Sequence, residues 1–267
     1  MVPLVECDEG ERQGMTNKET PLDDGLVAET ADGSSEVAAS CHGVNVPASR
    51  FLSDTRIRRI NAGRYEGQEI TGALHVVRPD DRVLEIGAGI GLVGAIIANI
   101  AKPQKVASFE ANPELIPVIR QLYEMNGLQE RISVRNAVLV SGPERPATMP
   151  FHLRSSYLGS SLLNPSERPS RVVEVPTEDM AQVCEALKPT VLVMDIEGGE
   201  LDLLQHMDLS PFRAVILEFH PEVYGVPGMR ACKRVLRDAG FAKEEAVSTR
   251  TVWTCLRQGA AQDAQGS

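Results

Sequence analysis

The twelve residues from Val83 to Gly94, VLEIGAGIGLVG, constrain this chain more than any other stretch. Val83–Ile86 has the length and composition of a short strand, and Leu92, Val93, Ile96, Ile97 and Ile100 give the segment after it a broad apolar helical face. Gly87, Gly89 and Gly91 lie between the two. Glycine permits the tight turn and lets the backbone approach a ligand closely. A strand, a glycine-rich turn and a helix together form the context of a nucleotide-cofactor loop. Three alternating glycines also exceed what a plain strand-to-helix turn requires.

The loop fits two cofactor classes. Gly89, Gly91 and Gly94 match G-x-G-x-x-G, the dinucleotide fingerprint, which is weak on its own. In that register the doubly packed strand would have to include Glu85 and Gly87, a poor choice of residues. In the other register Glu85 stands near the carboxyl end of its strand, where a carboxylate complements the cationic methionine half of S-adenosylmethionine and would repel a pyrophosphate. Glu110 ends the next predicted strand, Lys105–Glu110, and an acid at that distance from the loop hydrogen-bonds ribose hydroxyls in either class.

Strand and helix patterns alternate along most of the chain. Ile70, Leu74 and Val77 have helical spacing. Asn112-Pro113-Glu114 reads as a helix start, and Pro117 then falls awkwardly in the second turn. Ile132–Val140 reads as a third strand, Met149–Leu153 and Arg171–Val175 as short strands, and Thr177 as the start of a helix. Val191–Asp195 and Ala214–Phe219 are fully buried in type and are separated by a helix over about 199–207. A helix from Pro227 to about Ala239 precedes a final pair, Phe241–Val247 and Thr251–Leu256, expected to be antiparallel. Such alternation predicts an α/β fold with a doubly wound, mostly parallel sheet, whose ligands sit outside the carboxyl ends of the strands.

The ends of the chain differ from this middle. Residues 1–45 hold ten acids against two bases, which accounts for most of the net charge of −10, and are expected to be a disordered acidic tail. The catalytic domain is placed at 46–257, and 258–267 as a flexible tail. The charge argues against a nucleic-acid partner. Five scattered cysteines without a C-x-x-C pair suggest free thiols, and no apolar run is long enough to span a bilayer, so a soluble cytoplasmic protein is expected.

From about Tyr65 to Leu256 the sequence resembles the FkbM family of class I methyltransferases. The resemblance rests on VLEIGAGIG, FEANPEL (Phe109–Leu115), NAVL (Asn136–Leu139), MDIEGGELDLL (Met194–Leu204) and LEFHP (Leu217–Pro221). It implies a Rossmann-like sheet of seven mostly parallel strands with an antiparallel C-terminal strand, and S-adenosyl-L-methionine as cofactor. It also implies O-methylation of a sugar, glycan or natural-product-like small molecule, with neither nucleic acid nor membrane as partner. By position, Glu85, Gly87, Gly89 and Gly91 would surround the methionine half, Glu110 would take the ribose, Asn136 and Ala137 would lie near the adenine, and Asn112 would be a further cofactor-binding residue. Met194 departs from the family, which commonly has lysine there.

A hydroxyl acceptor is scarcely ionised at neutral pH and benefits from a base or a metal. Asp195 and Glu197 follow one predicted strand, and Glu218 and His220 follow the next, all on the cofactor side. His220 is the first choice for the base because its ordinary pKa of about 6.5 suits proton removal near neutrality. Asp195 and Glu197 would orient the acceptor, bind its hydroxyls or ligate a divalent ion through oxygen. Negative charge near a helix start also suits Glu197 and Glu200 structurally. No metal is assigned. Tyr65-Glu66 is placed to close over the cofactor, and 141–170 to form an acceptor lid. An NAD-dependent oxidoreductase and a non-catalytic cofactor-binding protein remain as alternatives.

Overall fold

A computed structural model describes residues 36–154 and 170–259. The fold begins earlier than expected. β1 (Val37–Cys41) and β2 (Val44–Pro47) form an antiparallel hairpin most of which falls in the stretch read as a disordered tail to residue 45. Ala39, Cys41, Val44 and Val46 all point inward and are buried, so the alternation hides an apolar face behind a polar composition. The hairpin is fastened to the body at Asn45, whose N–H donates to Asn126 Oδ1 at 2.8 Å while Asn126 Nδ2 donates to the Asn45 carbonyl at 2.8 Å.

Next come α1 (Asp54–Asn61) and α2 (Gly67–Val76), then the predicted strand β3 (Arg82–Ile86). α3 (Leu92–Ile96) continues into a π-helical turn over Ile97–Ala101. That wider winding leaves Ile100 half exposed, although it was expected on the buried face. β4 (Lys105–Glu110) matches its predicted bounds, but α4 (Ile116–Met125) starts later than Asn112. Asn112 instead caps a turn, its Oδ1 accepting from the Glu114 N–H at 3.0 Å. Pro117 therefore sits in the first turn of the helix, where its missing N–H has no partner to lose, and the awkwardness disappears.

The third predicted strand breaks at Ala137 into β5 (Ile132–Asn136) and β6 (Val138–Val140). β7 (Thr148–Leu153) and β8 (Arg171–Asp179) follow. Thr177 lies inside β8 rather than starting a helix, because Asp179 supplies the cap and α5 begins at Met180 and runs to Leu187. β9 (Val191–Met194), α6 (Glu200–His206) and β10 (Ala214–Glu218) agree with expectation. α7 (Pro221–Asp238) starts six residues before Pro227, since its first turn is separated from the rest by Gly225 at φ 72°. β11 (Phe241–Lys243) and β12 (Val252–Arg257) close the fold.

The main sheet has the order β5-β4-β3-β9-β10-β12-β11, with β12 alone antiparallel to its neighbours. Its strands alternate between two cores. Val83, Val191, Val193 and Ile216 face α2, α3 and α4, whereas Leu84, Leu192, Met194 and Leu217 face α6 and α7. A sheet covered on both faces needs this near-continuous apolar run. β6, β8 and β7 make a small side sheet around Val138, Phe151, Leu153 and Val175. No helix among the described residues is long and apolar enough to cross a membrane.

The two directions of winding meet between β3 and β9. At the opposite, amino-terminal edge, Asp81 ties three segments together. Only 2% exposed, it accepts from Arg213 Nε at 2.8 Å, Thr190 Oγ1 at 2.7 Å and the Arg78 N–H at 2.6 Å. Removing one partner of a buried ion pair leaves an uncompensated charge and costs about 3–5 kcal/mol. Arg213→Ala is expected to lower the unfolding free energy by that amount in urea denaturation, and a loss under about 1 kcal/mol would show that Asp81 is satisfied without it.

Candidate active site

A cavity of about 720 Å³ opens at the carboxyl ends of β3, β4 and β9, at the point where the winding reverses. Its floor is the glycine loop. Gly87 has φ 87°, and a Cβ there would lie 1.7 Å from the carbonyl oxygen of Asp195, so only glycine lets the loop rest on the end of β9. One side holds Glu110, Ala111, Leu115, Ala137 and Leu139, and the other holds Asp195, Glu197 and, from the start of α2, Tyr65, Glu66 and Glu69.

At the first side, Glu110 is buried and accepts from the Gly89 N–H at 2.8 Å and the Asn112 N–H at 2.7 Å. Burial raises its pKa to about 7, against the pull of those N–H groups. Glu85, 1% exposed, accepts from Ser108 Oγ and reaches the cavity wall. Burial also raises its pKa to about 7. A Cβ on Gly94 would lie 2.3 Å from Glu85 Oε2. The third glycine of the apparent dinucleotide fingerprint thus makes room for a carboxylate, which explains how β3 carries an acid in its interior.

The second side is dominated by like charge. Burial and the neighbouring Glu69 raise Glu66 to about 7, and burial and Glu69 raise Glu218, at the end of β10, to about 8. Burial, then Glu66 and Glu218, push Asp195 well above the ordinary carboxyl range. Glu197 sits at φ 53°, a strained backbone for a residue with a side chain, and burial raises its pKa too.

His220 does not reach the cavity wall. Its side chain is 6% exposed, with Nδ1 2.5 Å from Glu200 Oε1 and Nε2 3.4 Å from Asp195 Oδ1 and 3.7 Å from Glu197 Oε2. Burial alone would lower its pKa, but the hydrogen bond to Glu200 and the surrounding carboxylates outweigh that and raise it to about 9. An imidazole already protonated near neutrality and walled off by three carboxylates is unsuited to accept a proton from a substrate. His220, expected as the base, thus stands behind Asp195 and Glu197, which line the cavity where it does not.

Glu85, Gly87, Gly89, Glu110, Ala137, Asp195 and Glu197 therefore share one cavity. Gly91, Asn112 and Asn136 are absent from its lining. Gly91 caps α3 at φ 84° with Ile119 against it, Asn112 caps its turn, and Asn136 donates to the carbonyls of Glu110 and Ala111 at 2.9 and 3.0 Å. The two asparagines shape the ends of β4 and β5, Asn112 through Oδ1 and Asn136 through Nδ2. Glu69 is a site residue that the sequence reading did not single out; its one signal was Glu66-x-x-Glu69, a spacing that puts both acids on the same helical face. The wall at Gly142, Pro146 and Met149 belongs to the predicted lid, of which 155–169 lies outside the described residues.

An adenosine carrying a sulfonium fits these donors and surfaces: apolar residues beside Glu110, exposed loop backbone at Gly87 and Gly89, and acids toward the other end. The family description that matches the chain is "Methyltransferase FkbM domain", over residues 85–242. Among curated proteins, a ribosomal RNA small subunit methyltransferase A from Geobacter metallireducens is 30% identical over 98 residues, 33% of this chain and 35% of that protein. The match thus spans about a third of that relative's length. Among solved structures, a precorrin-6y C5,15-methyltransferase from Geobacter metallireducens is 14% identical, over 72% of this chain and 88% of that one, with TM-score 0.42. A ribosomal protein L11 methylase from Lactobacillus delbrueckii subsp. bulgaricus is 12% identical, over 72% and 77%, with TM-score 0.43.

A carboxyl group whose pKa is higher in the folded chain than in the unfolded one binds more protons when folded, so stability falls as pH rises through the folded value. Glu85 and Glu110, both raised from 4.5 to about 7, predict a melting temperature that drops as pH rises from about 4.5 to about 7 in the ligand-free protein and levels off above that. Glu85→Gln is expected to flatten that slope; an unchanged slope would mean that Glu85 titrates as in the unfolded chain.

Proposed function

The chain belongs to the FkbM methyltransferase family, with S-adenosylmethionine as methyl donor, and on that premise we propose that it methylates a hydroxyl group of a sugar, glycan or natural-product-like small molecule. The observation that carries this reading is the charge of the cavity. Glu66, Glu69, Glu85, Glu110, Glu144, Asp195, Glu197 and Asp202 line it, and among the described residues no lysine or arginine does. A nucleic-acid acceptor brings phosphates, whose binding depends on basic side chains. A neutral, hydroxyl-rich molecule instead offers donors to carboxylates, and about 720 Å³ is the size of a small-molecule site.

The bound donor supplies a methyl group on a positively charged sulfur. Glu110 and the loop backbone at Gly87 and Gly89 hold its adenosine part, and Glu85 places negative charge toward its cationic part. Asp195 and Glu197 face the acceptor. They would bind its hydroxyl, and one of the pair would take the proton as the oxygen bonds to the methyl carbon and that carbon's bond to sulfur breaks. Burial raises both carboxyl groups, which makes each a stronger base once it is ionised. His220 acts through them as a positioning residue. Holding two reactants in attack geometry supplies much of the acceleration, on the order of 7–11 kcal/mol in well-oriented systems.

Mass spectrometry of metabolite extracts treated with the protein and a labelled methyl donor is expected to find label in hydroxyl-bearing small molecules. Label confined to RNA would overturn the reading. S-adenosylhomocysteine is expected to raise the melting temperature of the wild type and of Asp195→Asn, but not of Glu110→Ala. Asp195→Asn is expected to lower methyl transfer by about 10²–10⁴-fold, the usual worth of a positioned acid or base.

A further inference from the structure

The carboxyl ends of β9 and β10 and the first turn of α2 gather more negative charge than their neighbours neutralise. One side-chain oxygen or nitrogen from each of Asp195, Glu218 and His220 lies within 4.8 Å of the others, and the same holds for Glu66, Glu69 and Glu218. Glu218 belongs to both groups, so the two triads are continuous. Glu69 is 6% exposed and shares a hydrogen bond with the carboxyl group of Glu218. Two carboxyl groups in contact need a proton or a cation to offset their repulsion. Among the described residues no lysine or arginine pairs with either.

Two details of how these side chains are placed point to a ligand. Asp195 Oδ1 is shut off from solvent and has no hydrogen-bond partner, although it faces His220 Nε2 at 3.4 Å. His220, itself nine-tenths buried, has its Nδ1 fastened at 2.5 Å to Glu200, which is wholly buried, so the ring is fixed with Nε2 directed at Asp195. Metal-binding histidines are held in this manner, by a carboxylate on the nitrogen that does not touch the metal.

We propose that this cluster is a binding site for one divalent cation, with Asp195, Glu218 and His220 as direct ligands and Glu66 and Glu69 as the charge beside it. Carboxylate oxygens with a single imidazole suit Mg²⁺ or Mn²⁺. The inference rests on the hydroxyl-methylation reading and deepens it, because Asp195 lies both in the cluster and on the acceptor side of the cavity. An acceptor oxygen bound to the cation loses its proton more readily. Asp195 then serves as a ligand and Glu197 receives the proton. The acceptor O–H bond breaks, the oxygen bonds to the methyl carbon, and that carbon's bond to sulfur breaks. With the ion in place, His220 is neutral and its Nδ1–H still donates to Glu200.

The test is titration of the chelator-stripped protein with MnCl₂, read by the electron paramagnetic resonance of free Mn²⁺. One Mn²⁺ per chain is expected, with affinity at least tenfold weaker in Glu218→Gln and in His220→Gln. Glu69→Gln, nearly isosteric, serves as a second variant should either of those fail to fold, and it too is expected to weaken binding. No bound Mn²⁺ in the wild type, or equal affinity in folded Glu218→Gln and Glu69→Gln, would overturn the site. The methylation reading fails separately. Mn²⁺ bound at the predicted residues without methyl transfer to any hydroxyl acceptor upholds the ion site and removes the acceptor class, whereas transfer undiminished by the chelator removes the ion and leaves the acceptor class standing.

Discussion

The loop after β3 lies against the backbone that follows β9 with no space for one side-chain carbon, since a Cβ on Gly87 would stand 1.7 Å from the Asp195 carbonyl oxygen. The Asp195 N–H in turn donates to the Ile86 carbonyl at 3.0 Å, so the end of β3 is joined to the first residue after β9. This contact brings the glycine loop and the acid-bearing turn into one cavity. It also fixes the separation between the two halves of the site, on which any transfer between two bound molecules depends.

Charge is handled differently at the two edges of the sheet. At the amino-terminal edge, Asp81 is buried but fully matched by Arg213, Thr190 and a backbone N–H. At the carboxyl edge the acids outnumber their partners, and among the described residues His220 is the basic side chain paired with them. The first arrangement stabilises the fold. The second stores repulsion that a cationic ligand or a proton relieves, which is the usual signature of a working site. Space for the buried acid of β3 comes from Gly94, a residue that sequence alone assigned to a phosphate-binding pattern.

Most of the sheet could be read from the chain. β4 kept its predicted bounds, and β3, β9 and β10 agreed to within a residue, because strands covered on both faces leave an apolar run that polar loops interrupt. Helix starts were harder. Asn112 and Thr177 both look like caps, yet a cap side chain can close a turn as readily as a helix, and Asp179 competes with Thr177 for the role. At the site, Glu85, Glu110, Asp195 and Glu197 were legible because each stands near a strand end. His220 was legible as a position but not as a role. Its protonation depends on Glu200, twenty residues away, and no local pattern reports that contact. Glu69 was hidden for a related reason: its importance comes from the end of β10 lying opposite α2.

The hairpin of β1 and β2 has a consequence for where this protein can be cut. The recognised family segment starts at residue 85, and the sheet starts at β3. Yet Ala39, Cys41, Val44, Val46, Ile60, Ile70 and Ala73 share one continuous core with Val83, Ile96 and Ile119. The unit that folds is therefore larger than the unit that sequence kinship marks out. A fragment trimmed to the family boundary would keep the glycine loop and strip the apolar cover from the helices behind it. It would also lose Glu66 and Glu69, so the same cut that exposes the core would remove part of the acidic wall.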